Sequence, residues 1–306
     1  MRPDLSLIIV NWKSSEYLRG CLQSLRACSD GLAIEVIVLD NASYDGSDKV
    51  TASILPEAIF VQMESNRGFA GANNMGARLA SGDVLLFLNP DTEVKDKSLY
   101  EMLSVCQSAN DAGAIGCRLL NSDGSLQTSC IQSFPTITNQ FLDADCFRRL
   151  FPRSKLWGMA ALFDSSGRIQ PVDAISGACL MIRHSIFNSI GGFSEDYFMY
   201  GEDLDLCYRV ARSGYKNYFV PSATVIHHGG GSTTCRDEHQ FANVQMRESV
   251  RLFIEKHHGA SQAARFKAFI GVSALARLAL LRLSGRRMAP SLYKWQSIRR
   301  WAAGGL

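Results

Sequence analysis

Asp91 closes the run Val84-Leu85-Leu86-Phe87-Leu88-Asn89-Pro90-Asp91. A carboxylate there is a hard oxygen ligand, suited to Mg2+ or Mn2+ carrying a diphosphate. The turn Asn89-Pro90-Asp91 also suits a plain surface turn with a capping Asp. A second acidic run spans 194–205 and includes Gly201-Glu202-Asp203-Leu204-Asp205. A helix starting near Asp203 favours its ionised form through the dipole, while neighbouring Glu202 opposes it. That balance suits a general base; helix capping by acids is the alternative. In Val225-Ile226-His227-His228-Gly229-Gly230-Gly231-Ser232, an apolar strand meets a His pair and three glycines. His227 can ligate a metal or touch a phosphate, or the pair can be ordinary surface residues.

Two more loops carry polar groups where a nucleotide can sit. Asp40-Asn41-Ala42-Ser43 offers a carboxylate to a base N–H or a ribose hydroxyl, or forms an Asx-rich turn. In Asn66-Arg67-Gly68-Phe69-Ala70-Gly71-Ala72-Asn73-Asn74 the glycines let backbone approach a phosphate and Arg67 can pair with it. Glycine for close packing at a helix start is the alternative. Neither GxGxxG nor GxxxxGK[ST] spacing is present. Gly177 permits close approach of a ligand, or a bulge. No Ser-His-Asp or Cys-His set is evident.

The elements that must hold these groups follow from periodicity. Strands are expected at 5–11, 33–39, 59–62, 84–88, 112–117 and 173–182. Helices are expected after Ser14 or Ser15 with Tyr17, Leu18, Cys21, Leu22 and Leu25 inward, at 47–53, up to Leu79, and at 98–109. One more runs from about Asp203 to Gly214, with Leu204, Cys207, Tyr208 and Ala211 inward. The apolar run 84–88 suits a strand covered on both faces, and Pro90 stops it. Alternating strands and helices predict an α/β fold with a mostly parallel, Rossmann-like sheet. Residues 121–170, with Phe141, Phe147, Phe151 and Trp157, are expected to form a flap that shapes an acceptor pocket.

The 306 residues are 46% hydrophobic and 20% charged, which excludes a disordered chain. The nine cysteines include no C-x-x-C pair, which predicts reduced thiols, and no signal peptide is read at the N-terminus. Residues 251–306 carry eleven Lys/Arg against Glu255, a net of +10, leaving −7 for residues 1–250. An acidic body is a poor nucleic-acid binder; a basic tail suits an anionic surface.

Seven runs in order are IIVNW, LDNASYDGS, NRGFAGANN, LFLNPDT, ISGACLMI, GGFSEDYFMYGEDLDLCYR and VIHHGGGS. Over about 5–235 the chain resembles the GT-A glycosyltransferases of family 2, on the branch of bacterial rhamnosyltransferases of surface polysaccharide synthesis. The resemblance implies an inverting transfer of a sugar, L-rhamnose from dTDP-rhamnose, to a lipid-linked saccharide. It implies a donor site of Val10, Asn11, Asp40, Asn41, Ser43, Asn66, Arg67, Gly68, Phe69, Asn73, Asn89, Pro90, Asp91 and Gly177. It places Asp91 at the second acid of the family's DxD metal position, where Asn89 departs from the first, so Mg2+ or Mn2+ rests on Asp91, the diphosphate and His227. It puts the catalytic base at Asp203, beside Glu202. Alternatives are a UDP-galactose or UDP-GlcNAc donor, and a non-catalytic nucleotide-sugar-binding scaffold.

The expected organisation is a catalytic domain over 1–250, with a nucleotide-sugar half (1–117) and an acceptor half (118–250), then a helical basic tail over 251–306. The apolar stretch 268–283 is short for a span and is broken by Arg277 and Arg282. With Arg286, Arg287, Lys294, Trp295, Arg299, Arg300 and Trp301 it suits an interfacial helix on an anionic membrane. Packing on the catalytic domain, or a homo-oligomer contact, is the alternative. The expected location is cytoplasmic, peripheral on the inner face of the cell membrane.

Overall fold

A computed structural model describes residues 2–28, 31–142, 167–229, 236–283 and 289–304. The chain divides into two compact units. The first holds the described residues within 1–134, 162–198 and 202–232; the second holds those within 135–161, 199–201 and 233–306. The flap residues Phe147, Phe151 and Trp157, and Gly230, Gly231, Ser232, Arg286 and Arg287, lie outside the described residues.

The first unit opens with β1 (Leu5–Asn11), α1 (Ser15–Ala27), β2 (Ile34–Asp40), α2 (Ser47–Ile54), β3 (Ile59–Gln62), α3 (Gly68–Leu79) and β4 (Val84–Leu88). There follow β5 (Thr92–Val94), α4 (Ser98–Ser108), β6 (Ala112–Leu120) and the short strand β7 (Ile131–Gln132). In the second unit, α5 spans Ile137–Leu142. Returning to the first unit, the chain forms β8 (Gln170–Val172), β9 (Ala174–Ile175), β10 (Cys179–Arg183), α6 (His184–Ser189), α7 (Glu202–Arg212) and β11 (Lys216–His227). Among the described residues one nine-stranded sheet runs β3-β2-β1-β4-β10-β6-β11-β5, with β8 on β11. β1, β2, β3, β4, β6 and β11 share one direction; β10, β5 and β8 oppose it. The sheet is therefore mostly parallel, as the alternation of elements requires.

Apolar runs explain the centre. Leu7, Ile8 and Ile9 of β1 and Leu85, Leu86 and Phe87 of β4 are wholly buried between helical layers. Asn11 pairs with Asp40 in register, so the carboxyl ends of β1 and β2 finish level. The ends of β4, β6 and β11 point the same way, and α/β proteins place ligands at such an edge.

Three local expectations are corrected. Tyr17 is 40% exposed and packs on His228 at 5.7 Å, while Leu18, Cys21, Leu22 and Leu25 form the buried face of α1. α7 buries Glu202, Asp205, Leu206, Cys207 and Val210 instead of Leu204, Tyr208 and Ala211. Asp205 tolerates that face because Arg209 meets it at 2.6 Å and Tyr197 donates to it at 3.4 Å. The stretch 173–182 is two strands, and β10 is antiparallel to both neighbours.

In the second unit α8 (Arg236–His258), α9 (Ala260–Leu283) and α10 (Ala289–Ala302) pack together. α8 runs without a break through the expected boundary at 250. Phe253, Phe266, Ile270, Ala274, Leu278, Ile298 and Trp301 bury their side chains there. Of the tail tryptophans, Trp301 is buried and Trp295 half-exposed. Trp301 is 4% exposed, packs on Phe266 and donates to Glu248 at 2.8 Å. Arg277 lies 4.3 Å above Trp295 as a cation–π pair. No described helix is long and apolar enough to cross a membrane.

Candidate active site

Asp91 and His227 are joined by strand pairing. β5 pairs antiparallel with the end of β11, Thr92 opposite His227, and the His228 N–H donates to the Asp91 carbonyl at 2.9 Å. His227 Nε2 then sits 3.3 Å from Asp91 Oδ1 and 3.3 Å from Asn89 Nδ2. Gln127 fixes the ring. Its amide N–H donates to Asn121 Oδ1 at 3.1 Å, which leaves Gln127 Oε1 to accept His227 Nδ1–H at 2.7 Å. In the neutral ring Nε2 is thus a lone pair facing a carboxylate oxygen. Two acceptors so close require a proton or a cation between them. Burial opposes ionisation of Asp91, but His227 and then His228 hold its carboxyl below the usual range. Among the described residues no three His, Cys, Asp or Glu side chains converge on one ion. The pair Asp91–His227 therefore fits a divalent cation that brings oxygen ligands of its own. His228 stands apart: it meets Ser122 at 2.8 Å and Glu93 at 3.1 Å.

Asp203 begins α7. Its Oδ2 accepts the Gly177 N–H at 2.9 Å and its Oδ1 the Leu204 N–H at 2.8 Å. A Cβ on Gly177 would lie 3.4 Å from Asp203 Cβ and from the Phe69 ring, an ordinary contact. The next residue, Ala178, accepts the Asn89 N–H at 3.0 Å, so two successive residues hold Asp203 and the end of β4. Burial raises the Asp203 carboxyl against its two N–H donors. Glu202 is 7% exposed, and burial followed by the Asp203 charge pushes it up to about 8, with Oε2 lacking a hydrogen bond. Burial thus pushes both carboxyls toward the protonated form, and the Asp203 charge adds to the effect on Glu202. Asp205, held by Arg209 and Tyr197, is part of the scaffold.

At the level ends of β1 and β2 the carboxylate of Asp40 is wholly buried. It accepts Ser43 N–H at 3.1 Å, Tyr44 N–H at 2.8 Å, Gln62 Nε2 at 2.8 Å, Asn11 Nδ2 at 3.0 Å and the Ser43 hydroxyl. Burial opposes ionisation, yet these donors keep the carboxyl below its ordinary range. Asp40 therefore shapes the loop instead of offering an open oxygen. Asn11 donates to Asp45 as well, and its own Oδ1 is buried without a hydrogen-bond partner. Val10 is half-buried beside it.

Asn41 ties this loop to the next, donating to Asn66 Oδ1 at 2.9 Å and accepting the Arg67 N–H at 2.9 Å. Gly68 has φ 68°, and a Cβ on it would meet the Phe198 carbonyl oxygen at 2.5 Å. Asn73 is buried and bonds the Phe69 carbonyl at 3.0 Å, so it serves the helix. Asn66 and Arg67 are exposed and Ser43 is half-exposed. Pro90 is half-buried between Asn89 and Asp91.

Four contributors were not singled out from the sequence. Gln127 orients His227. Asp45 receives Ser15 N–H at 2.9 Å and caps α1, where the Ser14 side chain does not. Asn74 bonds Phe193 N–H and the Phe193 carbonyl, each at 2.9 Å, and so docks the acidic run on α3. Gln62 completes the Asp40 cluster. The spacing Asp40-x4-Asp45 within an Asx-rich turn was the one available signal.

Comparison with known proteins bears on the family and the fold. The sequence profile of glycosyl transferase family 2 matches residues 6–190, and one described as the N-terminal domain of galactosyltransferase matches 158–229. An N-acetylglucosaminyl-diphospho-decaprenol L-rhamnosyltransferase of Mycobacterium tuberculosis is 29% identical over 94% of this chain and 96% of its own. A low-salt glycan biosynthesis hexosyltransferase of Haloferax volcanii is 31% identical over 69% of this chain and 63% of its own. A rhamnosyltransferase of Escherichia coli is 26% identical over 72% and 82% respectively. Among solved structures, a mannosyltransferase from Pyrobaculum calidifontis with GDP-Man and Mn2+ superposes with TM-score 0.60 at 16% identity, covering 99% of this chain and 86% of that one. With the sheet, the sheet-end site and the profile match over more than half its length, the chain belongs to glycosyl transferase family 2.

Proposed function

We propose that the protein transfers L-rhamnose from dTDP-rhamnose to a lipid-linked saccharide, with inversion, in surface polysaccharide synthesis. The carrying observation is that successive residues Gly177 and Ala178 hold Asp203 and the end of β4, which leads directly to the Asp91–His227 pair. The rhamnosyltransferase relatives, one of them named for a diphospho-decaprenol acceptor, support the sugar and the lipid.

Asn11 Oδ1 is a buried acceptor of the kind that a thymine or uracil imide N–H satisfies. Ser43, Asn66 and Arg67 offer polar groups to the ribose and phosphates. Asp91 and His227, with Asn89 beside them, hold Mg2+ or Mn2+. An ion held there would supply positive charge to the donor's diphosphate. Asp203 keeps a lone pair on each oxygen beyond its N–H bonds, and it takes the proton of the acceptor hydroxyl as that oxygen attacks the anomeric carbon. Glu202, protonated, withholds a second negative charge from the base. The lipid of the acceptor makes this a peripheral enzyme at the inner face of the membrane.

A second reading keeps the chemistry and changes the donor to UDP-galactose or UDP-GlcNAc; the galactosyltransferase-domain match over 158–229 favours it. Thermal shift with dTDP-rhamnose, UDP-galactose and UDP-GlcNAc, with and without Mn2+, separates the two. Stabilisation greatest for dTDP-rhamnose and dependent on Mn2+ supports rhamnosyl transfer. Stabilisation by a UDP-sugar alone overturns it in favour of the second reading.

A further inference from the structure

The tail presents two features side by side on one helix hairpin. α9 buries Ala263, Phe266, Ile270, Ala274 and Leu278 against its neighbours, at helical spacing. Its other face, which also carries the exposed Arg265, keeps large apolar side chains in solvent: Val272 is 60% exposed, Leu275 51% and Leu280 65%, while Phe269, 49% exposed, meets the Phe141 ring edge-on. A water-facing helix rarely keeps so many large apolar side chains on one face without a covering partner. Three residues on from Ala279, in line with Leu275, stands Arg282.

Arg282 lines a cavity of about 180 Å³ with Leu278, Gln296, Arg299 and Arg300. Three guanidinium groups and one amide give this recess donors and no acidic side chain. Among the described residues none of the three guanidinium groups makes an ion pair or hydrogen bond, whereas Arg251 is held by Glu248 and Glu255. Clustered unneutralised arginines repel one another, so the recess favours an anion that accepts several N–H bonds at once, as a phosphate does. The adjoining apolar stripe determines the source of that phosphate. A soluble anion has no use for Val272, Leu275 and Leu280; a phospholipid in a bilayer covers them with acyl chains.

We infer that the Arg282–Arg299–Arg300 recess seats the phosphate of an anionic membrane lipid while the exposed face of α9 enters the acyl boundary. This names the membrane-contacting surface and rests on the peripheral placement proposed above. It makes guanidinium groups and aliphatic side chains the contacting set in place of the buried Trp301.

The test is co-sedimentation of the full-length protein with phosphatidylcholine vesicles, with and without phosphatidylglycerol. The triple variant R282Q/R299Q/R300Q is compared with K49Q/R78Q/K97Q, which removes equal charge from the first unit. With about fivefold in partition per basic residue, the recess variant is expected to bind phosphatidylglycerol vesicles roughly 100-fold more weakly. It should keep its circular dichroism and its turnover on a short-chain, water-soluble acceptor. The control variant should bind as wild type. R299Q alone, and L275S/L280S, provide gentler checks should the triple variant unfold, and each is expected to weaken binding. Wild-type binding by the recess variant, or equal losses in both triple variants, overturns the recess and leaves the peripheral placement standing. Failure of the wild-type protein to bind phosphatidylglycerol vesicles overturns both.

Discussion

His227 Nε2 lies 3.3 Å from Asp91 Oδ1, with its other ring nitrogen held by Gln127 at 2.7 Å. The contact is a consequence of register: β5 places Thr92 opposite His227 and so turns the residue before it toward the ring. Asp91→Ala is therefore expected to abolish turnover and to weaken nucleoside-diphosphate binding in Mn2+ but not in EDTA, measured by titration calorimetry. Equal weakening in both conditions would assign Asp91 to folding instead.

Gln127 acts only through His227. Gln127→Ala is expected to raise the Mn2+ concentration for half-maximal activity by about tenfold or more, as loss of an outer-sphere partner commonly does. His227→Ala should raise it further, and kcat of Gln127→Ala at saturating Mn2+ should recover. A fixed loss of kcat at all Mn2+ concentrations contradicts this positioning role.

Much of the site was legible in the sequence, for reasons that can be named. β1 to β4 are short apolar runs with turn residues behind them, so the loops at 40–43, 66–74 and 89–91 fell at sheet ends on pattern alone. β5 is three residues long, Thr-Glu-Val, and no periodicity can be read in three. Gln127 lies 100 residues from His227, and only the tight turn at Gly124 (φ 80°) returns the chain to meet it. Asp205 looks like a surface acid, yet it is wholly buried because Arg209, one helical turn on, neutralises it. Trp301 reads as an exposed residue of a basic tail, yet it is buried, with its N–H bonded to Glu248.

Glu202 carries a pH signature. Its folded carboxyl titrates near 8 against an ordinary value of 4.5, so the folded state holds the proton more tightly. Its stability contribution is complete below about pH 4.5 and is lost as pH rises to about 8. Glu202→Gln, which stays neutral, should gain on wild type progressively across that window and level off above it, in urea unfolding at a series of pH values. A difference independent of pH would show that Glu202 is ionised throughout.

Gly68 is required by both its φ of 68° and the Phe198 carbonyl oxygen 2.5 Å from where a Cβ would sit. Gly68→Ala is expected to cost about 1–3 kcal/mol of strain before the clash is counted, seen as a lower urea midpoint. Gly71→Ala, which has ordinary helical backbone and meets the Arg67 Cβ at 3.1 Å, should cost less because it forces no positive φ. The reverse order would mean that the 66–74 turn relaxes freely.

The central claim is that Asp203 deprotonates the acceptor in a single displacement. The direct test is the single-turnover rate of sugar transfer from dTDP-rhamnose to a polyprenyl-diphosphate-linked N-acetylglucosamine, for wild type and Asp203→Asn, with donor affinity measured alongside. A loss of about 10²–10⁴ in rate, with donor affinity unchanged, is the expected result for removal of a general base. A rate near wild type for Asp203→Asn would contradict it.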